Sequence, residues 1–213
     1  MRFLRELGRE TGEVAIFPGA FHPPTVAHVA LAGAARNHVQ EVVWAMPEAF
    51  PHKTYEGVGR EQRLRMVMGA TEDAVAVSRE NLYFAVAAEL SAAMPGVKIS
   101  ILTGEDSARR ILEWDYGEGE VWKREYLHEN LQSFPILTTR RGGGGGNWVV
   151  PKEFASYFRW LEMSSEQMNM MDISSRAVRD RIASGVEWRE LVPEALWEAV
   201  STLYGSSGSV SGQ

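Results

Sequence analysis

The sequence predicts an α/β fold, a doubly wound, mostly parallel sheet with helices on both faces. Three observations carry the prediction. Short β-branched and aromatic runs alternate with alanine-rich or amphipathic stretches of helical length. Several of those runs stop abruptly at proline or glycine. The chain has 213 residues, 45% of them hydrophobic, with no long polar linker, so it can bury one sizeable core.

Taken in order, Glu13–Gly19 (EVAIFPG) reads as a buried strand stopped by Pro-Gly. Thr25–Val39 follows, rich in alanine with apolar residues at helical spacing, and is expected to be a helix. Strands are expected at Glu41–Met46, Ala74–Ser78 and Val97–Gly104, and a fifth at Phe134–Thr139. Helices are expected over Arg60–Ala70 and Asn81–Met94. This alternation is Rossmann-like. One domain is expected over residues 1–205, with residues 206–213 a disordered tail. The five-glycine run in Arg141–Asn147 fits neither common phosphate-loop spacing and reads as a flexible insertion.

Composition removes several classes. Net charge is −6 with Lys and Arg dispersed, so no basic stripe suggests a nucleic-acid partner. The absence of cysteine excludes disulfides, thiol catalysis and thiolate metal sites. No apolar run approaches the roughly 18 residues of a membrane span, and MRFLRELGRE lacks the apolar centre of a signal peptide. A cytoplasmic protein with no membrane partner is expected. Oligomeric state is not legible; a homo-oligomer is compatible with the chain.

In parallel sheets ligands bind beyond the carboxyl ends of the strands. Three such ends carry unusual residues: FPGAFHPPTVAH after the first, PEAFPHK after the second and TGED after the fourth. In the first, Gly19 permits a sharp turn and Pro24 bars a helix before it, leaving Thr25 as N-cap and His28 at the third helical position. Free N–H groups at that helix end suit an anion, so Thr25 and His28 are expected to converge on one phosphate. Near the other end of the chain, ISSRAVR (Ile173–Arg179) repeats the logic. Ser174 or Ser175 caps a helix whose Val178 and Ile182 face inward. Ser175 and Arg179 then fall roughly 40° apart around the axis and share one edge.

These motifs resemble those of the nucleotidyltransferases that include the nicotinamide/nicotinate mononucleotide adenylyltransferases. The first is similar to that family's G-x-F-x-P-x-T-x-x-H signature, with Ala27 where glycine is usual. Phe50–Lys53 with Arg60–Val67 resembles its P-H-K and R-L-x-M segment, TGED its G-x-D after the fourth strand, and ISSRAVR its I-S-S-T-x-I-R, with Arg176 in place of threonine. The matches span residues 14 to about 204.

The resemblance implies an enzyme in which a mononucleotide phosphate attacks the α-phosphorus of ATP and pyrophosphate leaves, in NAD biosynthesis. Such a reaction needs alignment and charge stabilisation rather than a nucleophile–base pair. It implies that His28 stabilises the α-phosphoryl transition state, and that Thr25, Lys53, Ser174, Ser175 and Arg179 hold the triphosphate. Gly19, Phe21 and His22 belong to the same ATP corner. Mg2+ would be held through the phosphates, with no side-chain metal ligands. Gly104 and Asp106 would meet ribose hydroxyls, though Asp106 also reads as a helix N-cap. Trp114 would stack on the pyridine ring, with Trp122 the second candidate. The bacterial S-Y-T segment near the pyridine carboxyl is unmatched in RENLYFAV, leaving acid and amide substrates both open. Three other readings stand beside this one: a CTP-using transferase, a phosphopantetheine adenylyltransferase, and a nucleotide sensor without turnover. The methionines of MSSEQMNMMD read as gap-fillers rather than a wall of the site.

Overall fold

The computed structural model describes residues 1–8, 12–48, 57–117, 119–140 and 148–205. Lys53 with the rest of P-H-K, the glycine run and the tail after Gly205 lie outside them. Chain order is β1 (Arg2–Arg5), β2 (Glu13–Pro18), α1 (Val26–Ala35), β3 (Glu41–Pro47), α2 (Arg60–Ala70), β4 (Ala74–Ser78), α3 (Tyr83–Ala93) and β5 (Lys98–Gly104). Then come α4 (Glu105–Glu113), α5 (Glu120–Ser133), β6 (Ile136–Thr139), β7 (Phe158–Trp160), α6 (Ser165–Met170), α7 (Ser175–Ala183) and α8 (Trp197–Gly205).

The strands form one seven-stranded sheet in the order β1-β4-β3-β2-β5-β6-β7. All neighbours are parallel except β1, which runs antiparallel to β4. The five expected strands are present, and β1 and β7 extend the sheet at its two edges. β2 sits between β3 and β5, pairing Val14 with both Glu41 and Ile99. From β2 the chain builds outward through β3 and β4, then returns to β5 and builds the other way. That reversal is the doubly wound topology.

Side-chain alternation explains why these strands read as unbroken apolar runs. Val14 and Ile16 point into the core under α3, α4 and α5, whereas Ala15 and Phe17 point into the core under α1 and α2. A third cluster gathers Val58, Met66, Val178, Trp188, Val200 and Tyr204, and it locks α7 and α8 onto α2. At the amino end of β4 the buried Asp73 carboxylate accepts from Arg36 (2.6 Å), Trp44 Nε1 (2.9 Å) and Thr71 Oγ1 (2.9 Å). The expected helix over Thr25–Val39 stops at Ala35, because Asn37 and His38 turn tightly onto the carbonyls of Ala34 and Ala35. The helix expected over Asn81–Met94 is shorter at both ends.

Candidate active site

Between β2 and β5 the connections leave toward opposite faces, so the carboxyl ends of these strands open a crevice. A cavity of about 1430 Å³ fills it, larger than the roughly 300–1,000 Å³ of a pocket for one small molecule. The loop after β2, the start of α4 after β5, the end of β6 and the amino end of α7 all line it.

The loop after β2 is built around one aromatic ring. Phe21 has a left-handed backbone (φ 45°) and is 2% exposed. Its ring packs edge-on to Phe17 (5.4 Å between centroids) and to His28 (5.3 Å). A Cβ on Gly19 would sit 2.6 Å from that ring, so glycine is required here for space.

His28 and Thr25 form a closed capping box. The His28 Nδ1 meets the Thr25 N–H at 3.0 Å and the Thr25 Oγ1 at 2.7 Å, while the His28 N–H donates to Thr25 Oγ1 at 3.4 Å. An Nδ1 that accepts from a backbone N–H leaves Nε2 as the protonated nitrogen, the one available to the cavity. Burial lowers the His28 pKa to about 4, so the ring is a neutral N–H donor at pH 7. Thr25 is fully buried, and its hydroxyl faces His28. The threonine hydroxyl thus contacts the histidine ring directly.

Near the other end of the chain, Ser174 caps α7, its Oγ accepting from Ala177 N–H at 3.1 Å. Ser175 Oγ donates to the Pro23 carbonyl at 2.7 Å, and Arg179 donates to the His22 carbonyl at 2.5 Å and to the Ser175 carbonyl at 3.2 Å. Ser175 and Arg179 do share one edge, and that edge grips the β2 loop. His28, Ser174, Ser175 and Arg179 all line the same cavity. Arg176 lines it too, exposed, with no hydrogen bond or ion pair to any described residue. His22 is buried with its ring edge-on to Tyr204 (5.3 Å). Burial, then the Arg179 and Arg63 guanidinium charges, lower its pKa to about 4. Arg63 donates to the Ala20 carbonyl at 2.9 Å, so a second guanidinium holds the same loop.

Across the cavity, Gly104 is the N-cap of α4 with no side-chain cap, which leaves Asp106 in the first helical turn rather than at the cap. Asp106 is exposed and lines the cavity, as does the partly buried Trp114 at the end of α4. Trp122 does not; it stacks on Tyr126 at 4.8 Å. Met171, from the methionine-rich segment, does line the cavity. Tyr83, which lies within RENLYFAV, and Tyr116 and Tyr204 line it as well. Tyr83 follows the carboxyl end of β4, where the strand-end rule applied equally. Tyr204 gave no local signal.

Among the described residues no group of three or more His, Asp or Glu side chains could hold a metal ion, and no helix is long and apolar enough to cross a membrane. The described groups where α1 and α7 begin at the cavity are guanidinium, imidazole and N–H donors, a set that suits anionic ligands.

Comparison with known proteins agrees with this geometry. A "Probable nicotinate-nucleotide adenylyltransferase" of Salinibacter ruber is 27% identical over 201 residues, covering 89% of this chain and 95% of its own. One of the same name from Exiguobacterium sibiricum is 23% identical, covering 88% and 95%. Among solved structures, nicotinic acid mononucleotide adenylyltransferase of Plasmodium falciparum complexed with NaAD superposes with a TM-score of 0.61 at 13% identity, over 89% of this chain and 95% of that one. The pattern defining one family matches residues 16–181, from β2 to the last turns of α7, and takes in both helix ends described above. This chain belongs to the cytidylyltransferase-like family.

Proposed function

We propose that the protein joins ATP to nicotinate mononucleotide, forming the dinucleotide and pyrophosphate as a step of NAD synthesis, with residues 1–205 acting as one nucleotidyltransferase unit. The observation that carries this reading is the docking of the α7 amino end on the β2 loop, so that His28 and Arg179 face one cavity at the switch point of the sheet. An oxygen of the mononucleotide phosphate attacks the α-phosphorus, the bond from that phosphorus to the β-bridging oxygen breaks, and pyrophosphate carries the electron pair away. The neutral His28 ring donates through Nε2 to the α-phosphoryl oxygens as charge gathers there. Arg179, Arg176 and the α7 N–H groups hold the β- and γ-phosphates. Lys53 is assigned to the same phosphates by resemblance. Mg2+ would enter with the nucleotide and offset part of the phosphates' charge, since no carboxylate cluster among the described residues would hold it by itself.

On the acceptor side, Asp106 and Gly104 are assigned to ribose and Trp114 to the pyridine ring. The acid is favoured over the amide because α3 begins at the cavity wall, where its N-cap Leu82 provides no side-chain cap and its first N–H groups suit a carboxylate. The names of the relatives point the same way.

Incubation with Mg2+-ATP and either mononucleotide, with pyrophosphate as the readout, tests the reading. Release with the nicotinate form, and little with the amide, is expected. Turnover with CTP in place of ATP, or ATP binding without release, would replace it with a cytidylyltransferase or a sensor.

A further inference from the structure

The last helix, α8, belongs to none of the sequence motifs, yet its final residues reach the cavity. Tyr204 lines it beside Leu203 and Gly205 and is only 9% exposed. Its hydroxyl is buried and has no hydrogen-bond partner among the described residues. Such a group is costly to bury, and packing does not require it: the ring already fills its place among Val178, Val200 and Trp188. Phenylalanine would serve that core equally well.

The surroundings say what the hydroxyl waits for. The ring stands edge-on to His22 at 5.3 Å, and Arg179, which donates to the His22 carbonyl, has a direct electrostatic influence on it, as does Arg63. The Arg179 guanidinium and the Tyr204 ring thus border the same part of the cavity as the amino end of α7, with the buried Arg63 close behind them. An acceptor drawn there is anionic. Burial raises the Tyr204 pKa more than the two arginines lower it, so the hydroxyl keeps its proton and can donate.

We infer that the Tyr204 hydroxyl donates a hydrogen bond to the β- or γ-phosphate of the bound nucleoside triphosphate, making α8 part of the triphosphate site. The assignment rests on the adenylyl-transfer reading above. It commits to the triphosphate rather than the phosphate of the acceptor, because Arg179 and α7 lie on that side.

Tyr204→Phe removes the hydroxyl and keeps the ring, so folding should survive. Three quantities decide the matter: KM for ATP, KM for the mononucleotide, and Kd for inorganic pyrophosphate by calorimetry. Loss of a hydrogen bond to a charged acceptor predicts about tenfold weakening in the first and third, with the second held within about twofold. Thermal unfolding should be unchanged or slightly raised. Unaltered ATP KM and pyrophosphate Kd would overturn the inference and leave the hydroxyl to water. A rise confined to the mononucleotide KM would overturn the triphosphate assignment. If the unsubstituted protein transfers no adenylyl group at all, the functional reading fails, while the calorimetric comparison still decides the role of the hydroxyl.

Discussion

Arg179 donates to the backbone carbonyl of His22 at 2.5 Å across a sequence separation of 157 residues. Four residues earlier on the same helix, Ser175 donates to the next carbonyl, that of Pro23, at 2.7 Å. The two motifs are therefore one physical unit: the second helix end is fastened to the turn that carries the first. Relative placement of the two helix ends is then set by hydrogen bonds rather than by the slack of the intervening chain. Preorganisation of this kind is what a reaction between two anions needs.

Arg179→Ala should accordingly damage fold and activity together. Removing a hydrogen bond from a charged donor to a sheltered carbonyl costs about 1–3 kcal/mol, and the loss of phosphate charge should lower kcat/KM by about 10²-fold or more. Ser175→Ala should cost about 1 kcal/mol and much less activity. Chemical denaturation alongside steady-state kinetics checks both. Full stability in Arg179→Ala would mean that the link contributes nothing.

Gly19→Ala tests the packing beneath that turn. The added Cβ would meet the Phe21 ring at 2.6 Å, and Phe21 cannot retreat because Phe17, Trp44 and His28 surround it. Overpacking of this kind costs about 1–3 kcal/mol. Because the displaced ring supports His28, kcat should fall further than the stability loss alone explains. A variant with normal urea midpoint and normal kcat would show that the corner yields freely.

Much of this was legible in the sequence, for a definite reason. β2, β3, β4 and β5 are covered on both faces, so burial appears as unbroken apolar runs such as VAIF and AVAV. Edge elements leave no such trace. β1 is four residues with two arginines, and β7 is three residues, FRW, lying against β6 alone. α5 buries only Leu127 and Leu131 of its fourteen residues, so its periodicity is faint. The helix ends at Thr25 and Ser174 were readable because capping is local chemistry. The direction of the Thr25 hydroxyl, and the arrival of Tyr204 from the last helix, depend on packing between distant segments. No spacing rule contains them.

Thr25→Val separates the two roles proposed for that residue. If the hydroxyl serves to fix the His28 ring, as its 2.7 Å approach to Nδ1 implies, kcat should fall about tenfold while KM for ATP barely moves. Lost capping should cost about 1 kcal/mol as well. A large rise in KM for ATP with unchanged kcat would assign the threonine to direct phosphate binding.

Stability should also depend on pH through two imidazoles, the buried His22 and the partly buried His28. His22 and His28 have folded-state pKa values near 4 against an ordinary 6.5, so between these limits the unfolded chain binds protons that the folded chain refuses. Their contribution is complete above pH 6.5 and is lost as pH falls toward 4, at up to about 1.4 kcal/mol per pH unit for each ring. Glu89, held near 2 by the N-terminal ammonium and Ser78 against the opposing effect of its burial, acts only at lower pH. Urea midpoints should drop steadily from pH 7 to pH 5. A flat profile would mean that the rings take up protons in place.

Arg176 stands in the first turn of α7, where the helix dipole disfavours a cation, and that turn contains no acidic residue to offset it. Its guanidinium is exposed to the cavity and engages no described partner. A local cost of this kind is compensated when a multiply charged anion binds, and the leaving pyrophosphate is such an anion in the proposed reaction. Arg176→Thr, which restores the hydroxyl of the resembled motif, should raise the inhibition constant of pyrophosphate several-fold and leave kcat within about twofold. The difference from the unsubstituted protein should shrink as salt rises from about 0.05 M to 0.5 M, since an exposed charge is screened over a few ångströms at the higher value. Arg176→Lys should retain most of the effect if charge is what matters. Equal pyrophosphate inhibition in all three proteins at low salt would leave Arg176 a solvated surface residue.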